Sequence, residues 1–249
     1  LLAALVLYAA GLWRAWRQAG SGRGVRRSQA AAFFAGWFFL AVALASPLEA
    51  VSGALFSAHM VQHLLLILAA APLLVVARPL AALAWALPPG WRIPLARWQG
   101  YRGWQGSSSL KRAAGWLVSP AVAWVLHAGT LWAWHAPGLY EWALTSEFAH
   151  ALEHAALTGT ALLFWWALVH GRGRALGYGA AVLYVFAMAL QGAVLGALIT
   201  FASTPWYATY QTSAQAWGIS ALADQQLAGA IMWAPAGLVY VGTALALLA

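Results

Sequence analysis

The feature that most restricts this chain is a succession of apolar runs, each long enough to cross a bilayer. They fall near residues 1–16, 30–47, 53–77, 115–136, 148–170, 178–201 and 225–249. Roughly 20 apolar residues in a helix span the hydrocarbon, and a helix satisfies its own backbone polar groups there. The charge content agrees: 7% of the 249 residues are charged, against about 25% in soluble domains. The expectation is an all-α, polytopic membrane helix bundle with seven transmembrane helices, forming one domain over residues 1–249. The chain begins with Leu1 rather than Met, so a native start upstream is expected. Residues 1–16 run into Arg14 and Arg17 with no small-residue cleavage pattern, and they read as a spanning helix rather than a signal peptide.

The formal charge of +8 would suit nucleic acid or acidic lipid, and its placement decides between them. Every Lys and Arg lies in three segments. Segment 14–27 holds Arg14, Arg17, Arg23, Arg26 and Arg27; segment 78–112 holds Arg78, Arg92, Arg97, Arg102, Lys111 and Arg112; segment 172–174 holds Arg172 and Arg174. The alternate connections carry Glu49, then Glu141 and Glu147, then Asp224, and no base. The positive-inside rule makes the basic loops cytoplasmic, so the N-terminus is expected outside and the C-terminus inside. The positive charge is thus a topology signal that also attracts anionic lipid, with no nucleic-acid role. Trp13, Trp16, Trp91, Trp98, Trp104 and Trp116 fit an inner aromatic belt; Trp132, Trp134, Trp142, Trp206 and Trp217 fit an outer one. The inner loop 78–114, with Pro88-Pro89-Gly90 and Gly106-Ser107-Ser108-Ser109, reads as a flexible connection or partner contact.

Chemistry gathers at the opposite surface. His59 and His63 open the third run, and His150 and His154 open the fifth, each pair one helical turn apart and so on one helix face. His135 ends the fourth run at the same surface, with His127 about two turns deeper. Ionisable groups in a membrane are costly to bury and mark functional sites. A single membrane histidine is also a common interhelical hydrogen-bonder, and His127 is compatible with either role. Two pairs entering from one side could supply three or four nitrogen ligands at about 2.0–2.1 Å. The chain has no cysteine, which excludes disulfides and thiolate metal sites. Imidazole suits zinc, copper, iron and nickel, while thioethers at Met60 and Met232 would favour copper; both methionines also suit plain packing. The candidate ligands are therefore His59, His63, His150, His154, His135 and Met60. Glu153, Asp224, Gln191 and His127 are candidates for the surrounding hydrogen bonds that orient the rings. Gln191 lies in an otherwise apolar run and needs a partner there.

Several stretches together resemble the caa3-type cytochrome c oxidase assembly factor family (the multi-spanning CtaG type). They are Phe56-Ser-Ala-His-Met-Val-Gln-His63 with Ala71-Pro72-Leu-Leu74, Trp134-His135-Ala-Pro137-Gly-Leu-Tyr140, and His150-Ala-Leu-Glu-His154 with Phe164-Trp-Trp166. Pro205-Trp206-Tyr207 with Tyr210, and Asp224-Gln-Gln-Leu-Ala-Gly229 with Met232-Trp233, complete the set. The resemblance implies a multi-pass protein of the bacterial plasma (inner) membrane that matures a haem–copper oxidase, assisting copper insertion. Its implied partners are cytochrome c oxidase subunits and periplasmic copper carriers, and it implies no catalysis.

The main alternative is enzymatic. His150-Ala-Leu-Glu153-His154 matches the inverted zinc-peptidase pattern H-x-x-E-H, with Glu153 as base, so an intramembrane zinc-dependent hydrolase is the second expectation. Haem between facing histidines is a third, although haem uses one histidine per side and would waste the paired spacing. A scaffold that binds oxidase subunits without metal is a fourth.

Overall fold

The computed structural model describes residues 2–87, 113, 115–170 and 177–248. The basic positions 92, 97, 102, 111, 112, 172 and 174, the tryptophans at 91, 98 and 104, and the Pro/Gly/Ser-rich part of the inner loop lie outside the described residues. Among those described, the chain is entirely helical. In chain order come α1 (Leu2–Ala19), α2 (Arg27–Ala45), the short α3 (Pro47–Ser52) and α4 (Phe56–Leu64). α4 runs on through a π-helical segment, Leu65–Ala70, into α5 (Ala71–Ala77), and α6 (Pro79–Ala86) follows. Then come α7 (Pro120–His135), α8 (Pro137–Thr145), α9 (Glu147–Val169), α10 (Tyr178–Thr200), α11 (Tyr210–Ala216) and α12 (Ala221–Leu248).

Five of these are long and apolar enough to cross a membrane: α2, the continuous Phe56–Ala77, α9, α10 and α12. The chain is a membrane protein. α1 carries Arg14 and Arg17 in its last two turns. α7 has only 16 residues, because Pro120 sets its first turn and the chain turns again at Ala136-Pro137.

Two sets of contacts fix which helix ends meet. At one end, Asp224 at the start of α12 accepts hydrogen bonds from the backbone N–H groups of Phe56 (2.6 Å) and Ser57 (3.2 Å) at the start of α4. At the other end, the Arg78 guanidinium after α5 reaches His170 after α9, with Nη2 at 2.9 Å from Nδ1. His170 Nε2 donates to Val75 O at 2.9 Å, so its Nδ1 is the acceptor for Arg78. α4–α5, α9 and α12 therefore share one starting end, and α7 finishes there. Arg78 adopts a left-handed conformation (φ 49°), which turns the chain sharply from α5 into α6.

Small residues let the helices approach. A Cβ on Gly229 of α12 would lie 2.4 Å from Thr200 Oγ1 and 2.7 Å from Gly196 O of α10. Gly11 of α1 is pressed equally hard on Ala82 O of α6, 1.9 Å from where a Cβ would stand. In the π segment the wider turn leaves Ile67 O to accept from Trp165 Nε1 of α9 at 2.9 Å. Pro72, which has no N–H to give, follows directly. Below the histidines, Phe164, Trp165, Tyr184 and Tyr240 stack into an aromatic core joining α9, α10 and α12.

Candidate metal centre

His59 and His63 lie one turn apart on the buried side of α4, and both rings are enclosed by protein. Their Nε2 atoms face each other at 2.8 Å. Across from them, α9 contributes Glu153 and His154. Glu153 Oε2 is 3.5 Å from His59 Nε2, and Oε1 is 3.6 Å from His63 Nε2. One ligand atom from each of His59, His63, Glu153 and His154 lies within 4.8 Å of all the others, and all four residues are buried.

The hydrogen bonds around this group explain its orientation. Tyr210 OH donates to Ser52 O (3.0 Å) and stands 3.5 Å from His59 Nδ1, so His59 presents Nε2 to the cluster. Two imidazole lone pairs held 2.8 Å apart repel unless a proton or a cation lies between them. Neither Glu153 oxygen, nor His63 Nδ1, nor His154 Nε2, has a hydrogen-bond partner among the described residues. Buried polar atoms are nearly always paired, so these orphans on three neighbouring residues give the pocket capacity for a charged ligand. Three imidazoles and a carboxylate fit a four-coordinate d-block cation.

The remaining expected residues surround this core. His135 Nδ1 donates to Leu131 O at 2.7 Å, which leaves Nε2 as the acceptor, and Met60 Sδ lies 3.4 Å from it. The His135 and His63 rings are 6.0 Å apart, so His135 and Met60 form a flank outside the four-residue group. A cavity of about 40 Å³ beside them is lined by Gln191 and Met232 as well. Gln191 accepts from Trp132 Nε1 at 2.8 Å and donates to Met188 Sδ, so its amide ties α7 to α10. His150 lies on the other flank, with Nδ1 3.4 Å from Glu49 Oε1 and its ring 4.3 Å from that of His154. His127 bonds Thr160 Oγ1 at 3.0 Å; the Thr160 hydroxyl is spent on Ala156 O, so His127 Nδ1 is the donor and links α7 to α9. Asp224 uses both oxygens on the first N–H groups of α4 and contacts no histidine ring. It fixes where His59 begins its turn, and acts on the site through the backbone.

Several contributors were not expected from the sequence. Gln62 donates to Ala43 O at 2.7 Å and to Glu49 Oε2, so it carries Glu49 against the helix that bears His59 and His63. The rule applied to Gln191, that a mid-span amide needs a partner, pointed equally to Gln62. Glu49 looked like a connection residue. Tyr140 and Tyr210 meet at 3.1 Å above His59, and Tyr207 donates to His135 O at 2.9 Å. Burial pushes the Tyr207 and Tyr210 phenols well above the usual tyrosine range, so both remain donors. Thr209 bonds Glu141 through its hydroxyl, and segment 201–216 closes over the centre as a lid.

Neither the curated proteins nor the solved structures contain a match to this chain. A family model described as cytochrome c oxidase caa3 assembly factor matches residues 6–249, nearly the whole chain. With a histidine cluster buried between the helices that carry its most distinctive stretches, the chain belongs to the cytochrome c oxidase caa3 assembly factor family.

Proposed function

We propose that this assembly factor holds one copper ion at His59, His63, Glu153 and His154 and passes it to the oxidase during maturation. The observation that carries the proposal is the group of four buried ligand atoms within 4.8 Å, with both Glu153 oxygens and His154 Nε2 unpartnered. The membership in an oxidase assembly family supplies the recipient, and the copper centres of that enzyme class supply the reason for a cargo metal. A centre without thiolate holds copper in exchangeable form, which suits delivery rather than storage. His135 and Met60 on the flank offer a softer nitrogen–sulfur pair for the reduced ion.

The path through the bilayer is part of the proposal. Adding α1 and α7 to the five long helices gives seven spans, with the N-terminus outside and the centre near the outer face of the bacterial plasma membrane. Oxidase subunits and periplasmic copper carriers would meet the protein there. The hydrolase alternative needs Glu153 to stand back from the metal as a base. Its distances to His59 and His63 favour a ligand role instead. Haem is disfavoured by rings crowded to centroid separations of 4.3 Å for His59–His63 and 5.5 Å for His63–His154.

Metal analysis of the purified protein tests the proposal. One copper per chain is expected, lost in a His59→Ala, His154→Ala double variant. Cells lacking the protein should accumulate haem-loaded oxidase deficient in copper. Full copper occupancy of the oxidase in that strain would remove insertion as the role, and stoichiometric zinc with hydrolytic turnover would install the enzyme reading.

A further inference from the structure

α2 and α9 barely touch along their outer halves, and a groove of about 660 Å³ separates them. Leu40 and Leu44 form one wall, Ala151, Ala155 and Gly159 the other, and Glu49, Glu147, His150 and His154 line its polar part. Side-chain exposure falls along this line, from 40% at Glu49 to 21% at His150 and to the buried His154. His154 is buried, yet its Nε2 has no partner, and the same is true of His150 Nε2. The other acids are engaged elsewhere: Glu141 holds the lid at Thr209, Asp224 caps α4, and Glu153 is in the centre. Among the described residues, no Lys or Arg lines the groove.

We infer that this groove is the access route for the cation, and that His150 and His154 form an outer transfer site on it. The inference rests on the metal-binding role proposed above for the inner four residues. Glu49 Oε1 stands 3.4 Å from His150 Nδ1 and favours the proton on that nitrogen, which leaves the unpartnered Nε2 to bind metal. Gln62 and His150 together hold that carboxylate in place. The spacing of one turn puts the His150 and His154 rings 4.3 Å apart, close enough to share an ion. The His154 ring is also 5.5 Å from His63 and 5.7 Å from His59. An ion taken up by His150 and His154 can therefore exchange His150 for His59, His63 and Glu153 while His154 stays bound. No bare cation ever crosses the apolar layer. Glu147, exposed at the mouth, and Glu49 raise the local concentration of cations before they enter.

Loading kinetics test this. The metal-free protein is mixed with cobalt(II), the d–d absorption is followed, and the final metal content is measured. Two independent variants interfere with the route. One is Glu147→Gln with His150→Ala, which removes the mouth charge and the outer ligand. The other is Gly159→Phe, where the glycine faces open space and the new ring narrows the groove without a clash at its Cβ. Both should reach the wild-type content of one ion per chain, with loading slowed about tenfold or more. The wild-type rate should fall with added salt, and the Glu147→Gln, His150→Ala variant should lose that dependence. Wild-type loading rates in both variants overturn the route. Loss of bound metal at equilibrium in the His150→Ala background overturns the transfer role and makes His150 an inner ligand. A wild-type chain that takes up no cobalt, copper or zinc removes the inner centre itself and the route with it, an outcome distinct from the other two.

Discussion

Asp224 sits 168 residues from the helix it caps, and removing its carboxylate should destabilise the protein and loosen the proposed metal centre together. Its Oδ2 and Oδ1 accept from Phe56 N at 2.6 Å and Ser57 N at 3.2 Å, and the residue is fully buried. Those N–H groups are the orphan donors of a helix start, where a negative charge also meets the positive end of the helix dipole. A hydrogen bond to a charged group contributes about 1.5–3 kcal/mol, so two bonds suggest about 3–6 kcal/mol in water. Side-chain hydrogen bonds in membrane proteins contribute less, because the unfolded chain in lipid finds other partners. A loss of about 3 kcal/mol is therefore expected for Asp224→Ala, and about half of that for Asp224→Asn, whose amide keeps one acceptor oxygen. Unfolding titrations in mixed SDS micelles, read by near-ultraviolet circular dichroism, measure it. His59 is only three residues past Phe56, so fraying of this turn moves its ring, and cobalt affinity should fall in parallel with stability. A loss under about 1 kcal/mol for Asp224→Ala would refute the capping account. So would an Asp224→Asn variant as damaged as Asp224→Ala.

Two further outcomes are expected. Gly229→Ala places a methyl group 2.4 Å from Thr200 Oγ1 and 2.6 Å from Thr200 N, so α10 and α12 must separate, at a cost of about 1–3 kcal/mol. Gly192→Ala, where a Cβ meets nothing within 4 Å, is the control, and the same SDS titration compares them. At the other end of the bundle, burial lowers the His170 pKa from its usual 6.5, and the adjacent Arg78 guanidinium adds to the effect. The unfolded chain then binds more protons than the folded one just below pH 6.5, so stability rises with pH there and is lost as the pH falls through the lowered value. His170→Gln should flatten the pH dependence of thermal unfolding between about pH 6.5 and 5.5 relative to wild type, and an unchanged slope would contradict the assignment.

How much of this was legible beforehand differs from residue to residue. The His59/His63 and His150/His154 spacings announced two same-face pairs, because helical periodicity is local and requires nothing but the sequence. That Glu153 would join the group of four while His150 stood outside it depended on the rotation of α9 about its own axis, which packing against α5, α7 and α8 sets. Asp224 and Gln191 drew notice as polar residues in apolar surroundings, yet their partners, a distant helix start and a tryptophan on α7, lie far away along the chain. Gln62 carried the same mid-span amide signal as Gln191, and Glu49 read only as a connection residue. They matter because α2, α3 and α4 bring one amide against one carboxylate.

The sequence by itself determined the membrane environment, the helical class and the type of ligand available, since these follow from apolar run length, backbone satisfaction in lipid and the absence of cysteine. Only the tertiary structure decided which four side chains share one spot, which aromatic residues close over them and which residues line the groove between α2 and α9. Those are distances between helices, set by close glycine crossings at Gly196, Gly229 and Gly11 and by the rotation of each helix against its neighbours, and no local pattern along the chain encodes them.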